Sequence, residues 1–148
     1  MNPAILAKGD DLKKYDYGWE AMDLEIKFFH WPDFGKDHLV VILGGLIDAG
    51  GMKQILRRIA DMTLHSPDCE VLIDLRKATC SLTSIDIYIL AAEPNVWPLK
   101  NKVALVSARD IDQYDQLLLL SSCVSNRGFN VTAFYDLDRA LQWLALER

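Results

Sequence analysis

The stretch Val71-Leu72-Ile73-Asp74-Leu75, followed by Arg76-Lys77-Ala78-Thr79-Cys80-Ser81-Leu82-Thr83-Ser84-Ile85-Asp86, decides the reading of this chain. The apolar run ending in Asp74 and Leu75 reads as a strand covered on both faces, because such strands lose the in–out alternation of a half-exposed one. The polar residues after it read as a loop. A helix then opens at Thr83 or Ser84. Asp86 stands three residues after Thr83, a capping-box spacing with Asp in place of the favoured Glu. A strand that delivers a polar loop to a helix N-terminus leaves backbone N–H groups pointing outward. Fold and function are expected to meet there.

Upstream, Leu24, Ile26 and Phe28 alternate with Glu25 and Lys27, the period of a half-buried strand. Trp31-Pro32-Asp33-Phe34-Gly35 reads as a loop. Residues 39–43 are a continuous apolar strand that forms a hairpin with the first. Asp48 caps a helix in which Met52, Ile55, Leu56, Ile59 and Met62 fall on one stripe. Ser66-Pro67-Asp68 ends that element.

Downstream, Ile85, Tyr88, Ile89 and Ala92 are expected on the inner face of the second helix, which Pro94 stops. Residues 102–107 form the next strand. Asp110 or Asp112 caps a third helix with Tyr114, Leu117, Leu118 and Val124 inward, and Asn126-Arg127-Gly128 ends it. Residues 130–135 make the last strand. Asp136 caps the last helix, with Leu137, Ala140, Leu141 and Leu144 inward. This alternation predicts an α/β domain, a mixed five-stranded sheet with about four helices in the order ββαβαβαβα, over residues 23–148. Residues 1–22 read as an N-terminal arm carrying Tyr15, Tyr17 and Trp19.

A chain of 148 residues suffices for one domain with a sizeable core, and 51% hydrophobic with 25% charged residues is ordinary for a globular protein. A net charge of −5 argues against nucleic acid, whose phosphates want a basic face. It also disfavours attachment to anionic lipid by charge alone, leaving membrane-surface contact only to a local basic patch. Cys69, Cys80 and Cys123 show no C-x-x-C spacing; an odd count without a leader predicts reduced thiols and a cytoplasmic protein.

Three stretches together resemble the STAS superfamily, and more closely its SpoIIAA-like branch, over about residues 23–146. Gly44-Gly45-Leu46-Ile47-Asp48 is similar to the family's glycine-then-acid entry into the first helix. Val71-Leu72-Ile73-Asp74-Leu75-Arg76 is similar to its central strand. Val131-Thr132-Ala133-Phe134-Tyr135-Asp136, with Ala140-Leu141-Gln142-Trp143-Leu144, is similar to its closing strand and helix. Anti-sigma-factor antagonists of this superfamily carry Asp-Ser-Ser/Thr-Gly after the central strand, with the serine phosphorylated by a partner kinase. This chain has Leu82-Thr83-Ser84-Ile85 there: the hydroxyls are present, and the preceding Asp and following Gly are not. The resemblance implies a regulatory domain, and phosphorylation at Thr83 or Ser84 as an alternative mode of control.

Catalysis finds little support. His30, His38 and His65 have no spacing to a nucleophile or to one another as metal ligands. Cys80 near Lys77 and a helix N-terminus is a candidate for a lowered thiol pKa, without a recognisable base. Asp74 reads as a structural carboxylate. Gly44, Gly45, Gly50 and Gly51 lack the neighbours of a phosphate loop and read as turns. A binding surface is the better expectation. Arg76, Lys77, Thr83 and Ser84 lie beyond the third strand and Arg109 beyond the fourth, placed to flank the second helix's N-terminus and receive an anionic group. Ile87 and Leu90 lie off the expected inner face of helix two, and Leu119 and Leu120 off that of helix three, a surplus of apolar surface that suits contact. The expectation is a non-enzymatic regulatory or binding domain that recognises a protein partner or a small apolar or anionic ligand, with a homodimer as one form of partnership. Neither a cofactor nor a metal is expected, and nucleic acid is not.

Overall fold

Residues 12–14, 25–33 and 36–146 are described by the structure, a computed structural model. The elements are β1 (Leu12–Lys14), β2 (Glu25–Asp33), β3 (Lys36–Asp48), α1 (Ala49–Thr63), β4 (Glu70–Ser81), α2 (Ser84–Ala92), β5 (Val103–Ser107), α3 (Ile111–Ser125), β6 (Val131–Phe134) and α4 (Leu137–Ala145). The sheet runs in chain order from β1 to β6. β3, β4, β5 and β6 are mutually parallel. β2 joins β3 antiparallel, and β1 joins β2 antiparallel.

The expected count of five strands is therefore corrected. Four form the parallel run, and β1, contributed by the segment read as an arm, is an additional edge strand. Its pairing rests on backbone hydrogen bonds, which leave no periodic mark in three residues of sequence. The aromatic residues Tyr15, Tyr17 and Trp19 lie outside the described residues. β2 also extends through Trp31, Pro32 and Asp33, expected as loop; Pro32 sits near the end of a hairpin strand, where one missing N–H costs little.

Each helix starts where a short polar side chain can accept an orphan N–H. Asp48 accepts from Gly51 at 2.8 Å, Asp110 from Asp112 at 2.9 Å, and Asp136 from Asp138 at 2.8 Å. The alternative cap for α3, Asp112, is instead a first-turn residue. Gly128, with φ of 96°, takes the left-handed conformation that ends the α3 turn.

Two apolar layers sandwich the sheet. Leu39, Val41 and Leu43 of β3, Val71, Ile73 and Leu75 of β4, and Val103 and Leu105 of β5 face one side, where they meet α1, α2 and α3. Val40, Leu72, Ala104 and Val106 face the other, against Leu137, Ala140 and Leu144 of α4. The alternation of period two is thus present, but both phases are apolar, as a doubly covered sheet requires. β4 breaks this phase once. Ile42 pairs with Asp74 while Gly44 pairs with Lys77, so β4 carries one extra residue opposite β3. Beyond that bulge the even-numbered Ala78 and Cys80 face the side that odd-numbered residues occupied before it. Gly45, with φ of 93°, lies beside this irregularity in β3, where a side chain would be strained.

Candidate functional site

The segment expected as a loop, residues 76–81, is strand. β5 stops opposite Leu75, at Ser107, while β3 and β4 run on together to Asp48 and Ser81. The edge of β4 beyond Leu75 then lacks a strand partner on the β5 side. Gln113 of α3 fills that gap: its side-chain oxygen accepts from the Cys80 N–H at 3.0 Å, and its amide donates to the Leu75 carbonyl at 3.4 Å. Gln113 is buried, and sequence reasoning missed it, because a glutamine in the first turn of a helix reads as a surface residue.

The extended segment also moves the second helix. Six residues, 77–82, lie between Arg76 and Thr83, about 20 Å of mostly strand-like chain. Arg76 and Arg109 therefore do not flank the N-terminus of α2, as expected. They meet in a pocket of about 210 Å³ with Ser107 and with Tyr135, Asp136, Leu137 and Asp138. Arg76 grips Asp74 bidentately, with Nε to Oδ1 at 2.9 Å and Nη2 to Oδ2 at 2.8 Å, and its own N–H donates to the same carboxylate. That hydrogen bonding raises the guanidinium pKa above its ordinary value. Asp74 is a buried structural carboxylate, committed to Arg76. Lys77 is exposed on the extension of β4.

Thr83 caps α2 in a complete capping box: its hydroxyl accepts from the Asp86 N–H at 3.1 Å, and Asp86 accepts from the Thr83 N–H at 2.9 Å. Thr83 and Ser84 are both exposed.

The helix faces differ from expectation. In α2 the buried residues are Ile87 (1% exposed), Leu90 (3%) and Ala91, whereas Ile85 (70%), Tyr88 (56%) and Ile89 (59%) point to solvent. Ile87 and Leu90 are thus core, and the assignment of inner and outer faces was reversed. Apolar residues ring this helix almost evenly, so periodicity cannot choose the buried side. In α3, Leu120 is likewise core, Leu119 is half-buried, and Leu118, expected inward, is exposed. The three exposed α2 side chains are spaced i, i+3, i+4, which places them on one face. Lys53 of α1 pairs with Glu93 at the end of α2 (2.7 Å), with Arg57 at 3.6 Å from the same oxygen, so α2 is tied to α1 at its C-terminal end.

Cys80 is not an activated thiol. It is buried in the larger core cluster, and burial pushes its pKa up from 9.0 to about 12. Cys69 rises to about 11, chiefly through burial and then through the charge of Asp37. His38, buried in β3, stands 3.8 Å from Glu70, its register partner on β4; His30 lies in β2, and His65 is exposed after α1. Among the described residues, no three His, Cys, Asp or Glu side chains gather as metal ligands, and no helix is long and apolar enough to cross a membrane.

Among the described residues, fold and site define an α/β domain with four parallel strands, three helices on one face and one on the other. Solved structures similar to the chain include the following three. A DUF3478-family protein with a SpoIIAA-like fold from Shewanella loihica shares 17% identity over 81% of this chain and 93% of its own, at a TM-score of 0.48. An anti-sigma factor antagonist from Mycobacterium paratuberculosis shares 23% over 81% of this chain and 94% of its own, at 0.49. The anti-sigma factor antagonist SpoIIAA in its unphosphorylated form shares 11% over 79% and 96%, at 0.41. These are the kinds of protein that the sequence resemblance named; at such identities the likeness does not extend to function. No protein-family model matches the chain, and no curated protein does.

Proposed function

We propose that this chain is a non-enzymatic regulatory domain that binds a protein partner through the outer face of α2. The observation that carries this reading is the trio Ile85, Tyr88 and Ile89, each more than half exposed and all on one face of a nine-residue helix. Single exposed apolar residues are ordinary, but adjacent large ones keep an unfavourable contact with water that a partner groove removes. Helix-in-groove recognition uses the same i, i+3, i+4 anchors. The Thr83–Asp86 capping box and the Lys53–Glu93 pair hold α2 at both ends, so the face is presented without ordering cost.

A photo-crosslinking residue placed at Ile89 of the full chain in its native host tests this reading. It is expected to trap one discrete protein, or a second copy of this chain if the partnership is a homodimer. The same probe at exposed Gln142 on α4 should trap neither. Equal adducts at both positions, or none at Ile89, overturn the reading.

Phosphorylation is the second reading, favoured by one observation: Ser84 is exposed at the first position of α2 with its hydroxyl outside every hydrogen bond of the described residues. A phosphate there gains from the helix dipole and meets repulsion from Asp86 two residues on. It would place charge beside Ile85 and so turn the apolar face off.

A further inference from the structure

Away from α2, two pockets open side by side near the carboxyl ends of β5 and β6 and share Arg109, Tyr135 and Asp136. The larger, about 530 Å³, has aromatic walls of Tyr114, Phe134 and Tyr135, and it adds Arg139 to Arg109. Tyr114 and Tyr135 meet edge to face with ring centroids 5.0 Å apart, so each ring fixes the other. Among the described residues, neither the Arg109 nor the Arg139 guanidinium takes part in an ion pair or a side-chain hydrogen bond. The α4 N-terminus is not itself a vacancy, since Asp136 already accepts the Asp138 N–H. The smaller pocket is different in character: its Arg76 is committed to Asp74, and Asp138 joins Asp136 there. The larger pocket therefore holds the surplus of unpaired positive charge: Arg109 and Arg139 line it with one carboxylate, already serving as a helix cap, whereas the smaller has Arg109 alone beside two carboxylates.

We propose that the larger pocket binds a small aromatic oxyanion, an aryl carboxylate or aryl phosphate. Its charged group sits between Arg109 and Arg139, and its ring lies along the Tyr114–Tyr135 wall. A guanidinium presents a planar fork that matches either oxyanion bidentately. Aromatic rings supply a large apolar contact for a planar body. The volume falls within the range of small-molecule sites, about 300–1,000 Å³. This site is separate from the α2 face and stands or falls independently of it.

The test is titration of the ¹⁵N-labelled full chain with phenyl phosphate, benzoate, inorganic phosphate and phenol, followed by amide chemical shifts. Phenyl phosphate or benzoate is expected to give saturable shifts at Arg109, Tyr114, Tyr135 and Arg139, and the tighter of the two identifies the charged group. Inorganic phosphate and phenol should each bind more weakly. Arg109→Gln and Arg139→Gln should each weaken the tighter aryl anion about tenfold while the spectrum stays dispersed, because each removes a charge-assisted contact. Lys100→Gln, at the pocket near the opposite end of the sheet, should leave binding unchanged. The proposal is overturned if neither aryl anion saturates, if phenol or inorganic phosphate binds as tightly, or if both arginine variants bind as the parent does.

Discussion

Gln113 and Cys80 show how one side chain settles a local question. Gln113 substitutes for the strand that β5 does not supply, pairing with backbone groups at the β4 bulge and beyond it. Gln113→Leu is expected to keep the volume and leave the Cys80 N–H unpaired, lowering stability by about 1–3 kcal/mol in urea unfolding. The hydrogen bond at Cys80 is part of a site where the thiol stays neutral. An unfolded chain loses that thiol proton near pH 9.0, whereas the folded chain holds it to about 12. Between these values the folded form carries more protons, so rising pH favours unfolding, by at most about 1.4 kcal/mol per pH unit for this group. Cys69 acts in the same sense between 9.0 and about 11. Urea midpoints measured from about pH 8.5 to about pH 10.5 should therefore fall more steeply for the parent than for Cys69→Ala/Cys80→Ala. Parallel slopes would refute the assignment.

Among the elements, α2 separates what periodicity can say from what packing decides. In α1 Met52, Ile55, Leu56 and Ile59 of the expected stripe are buried and Met62 is half-buried against the core, because charged residues fill the opposite face. In α2 Ile85 and Ile87 are chemically alike, yet one is exposed and the other is core. Neighbours make the choice: Ile87 and Leu90 share the core cluster with Leu117 and Leu120 of α3. Ile87→Ala should cost about 2–4 kcal/mol and Ile89→Ala less than about 0.5 kcal/mol in the same unfolding measurement, since only the first leaves a cavity. The reverse order would restore the face assignment read from the sequence.

For the whole molecule, the chain alone determined the alternation of strands and helices, the caps at Asp48, Thr83 and Asp136, and the apolar segments that must be buried. Those features are local: a cap, a turn or a run of β-branched residues acts on its own few neighbours, so its signal lies within a short window. Sequence also placed Arg76 and Arg109 beyond the ends of successive strands. It did not show that β4 outruns β5 after a bulge, which carries the start of α2 away and leaves the arginines beside α4 instead. Only the tertiary structure decided that separation, the sixth strand, and which side of α2 and α3 meets water. The physical reason is that these outcomes depend on contacts between residues distant in sequence. Gln113 reaches Leu75 across 38 positions, and Arg109 shares a pocket with Arg139. Where the chain is apolar on every side of a helix, competition for the core, settled by the shape of the whole fold, selects the face that remains for a partner.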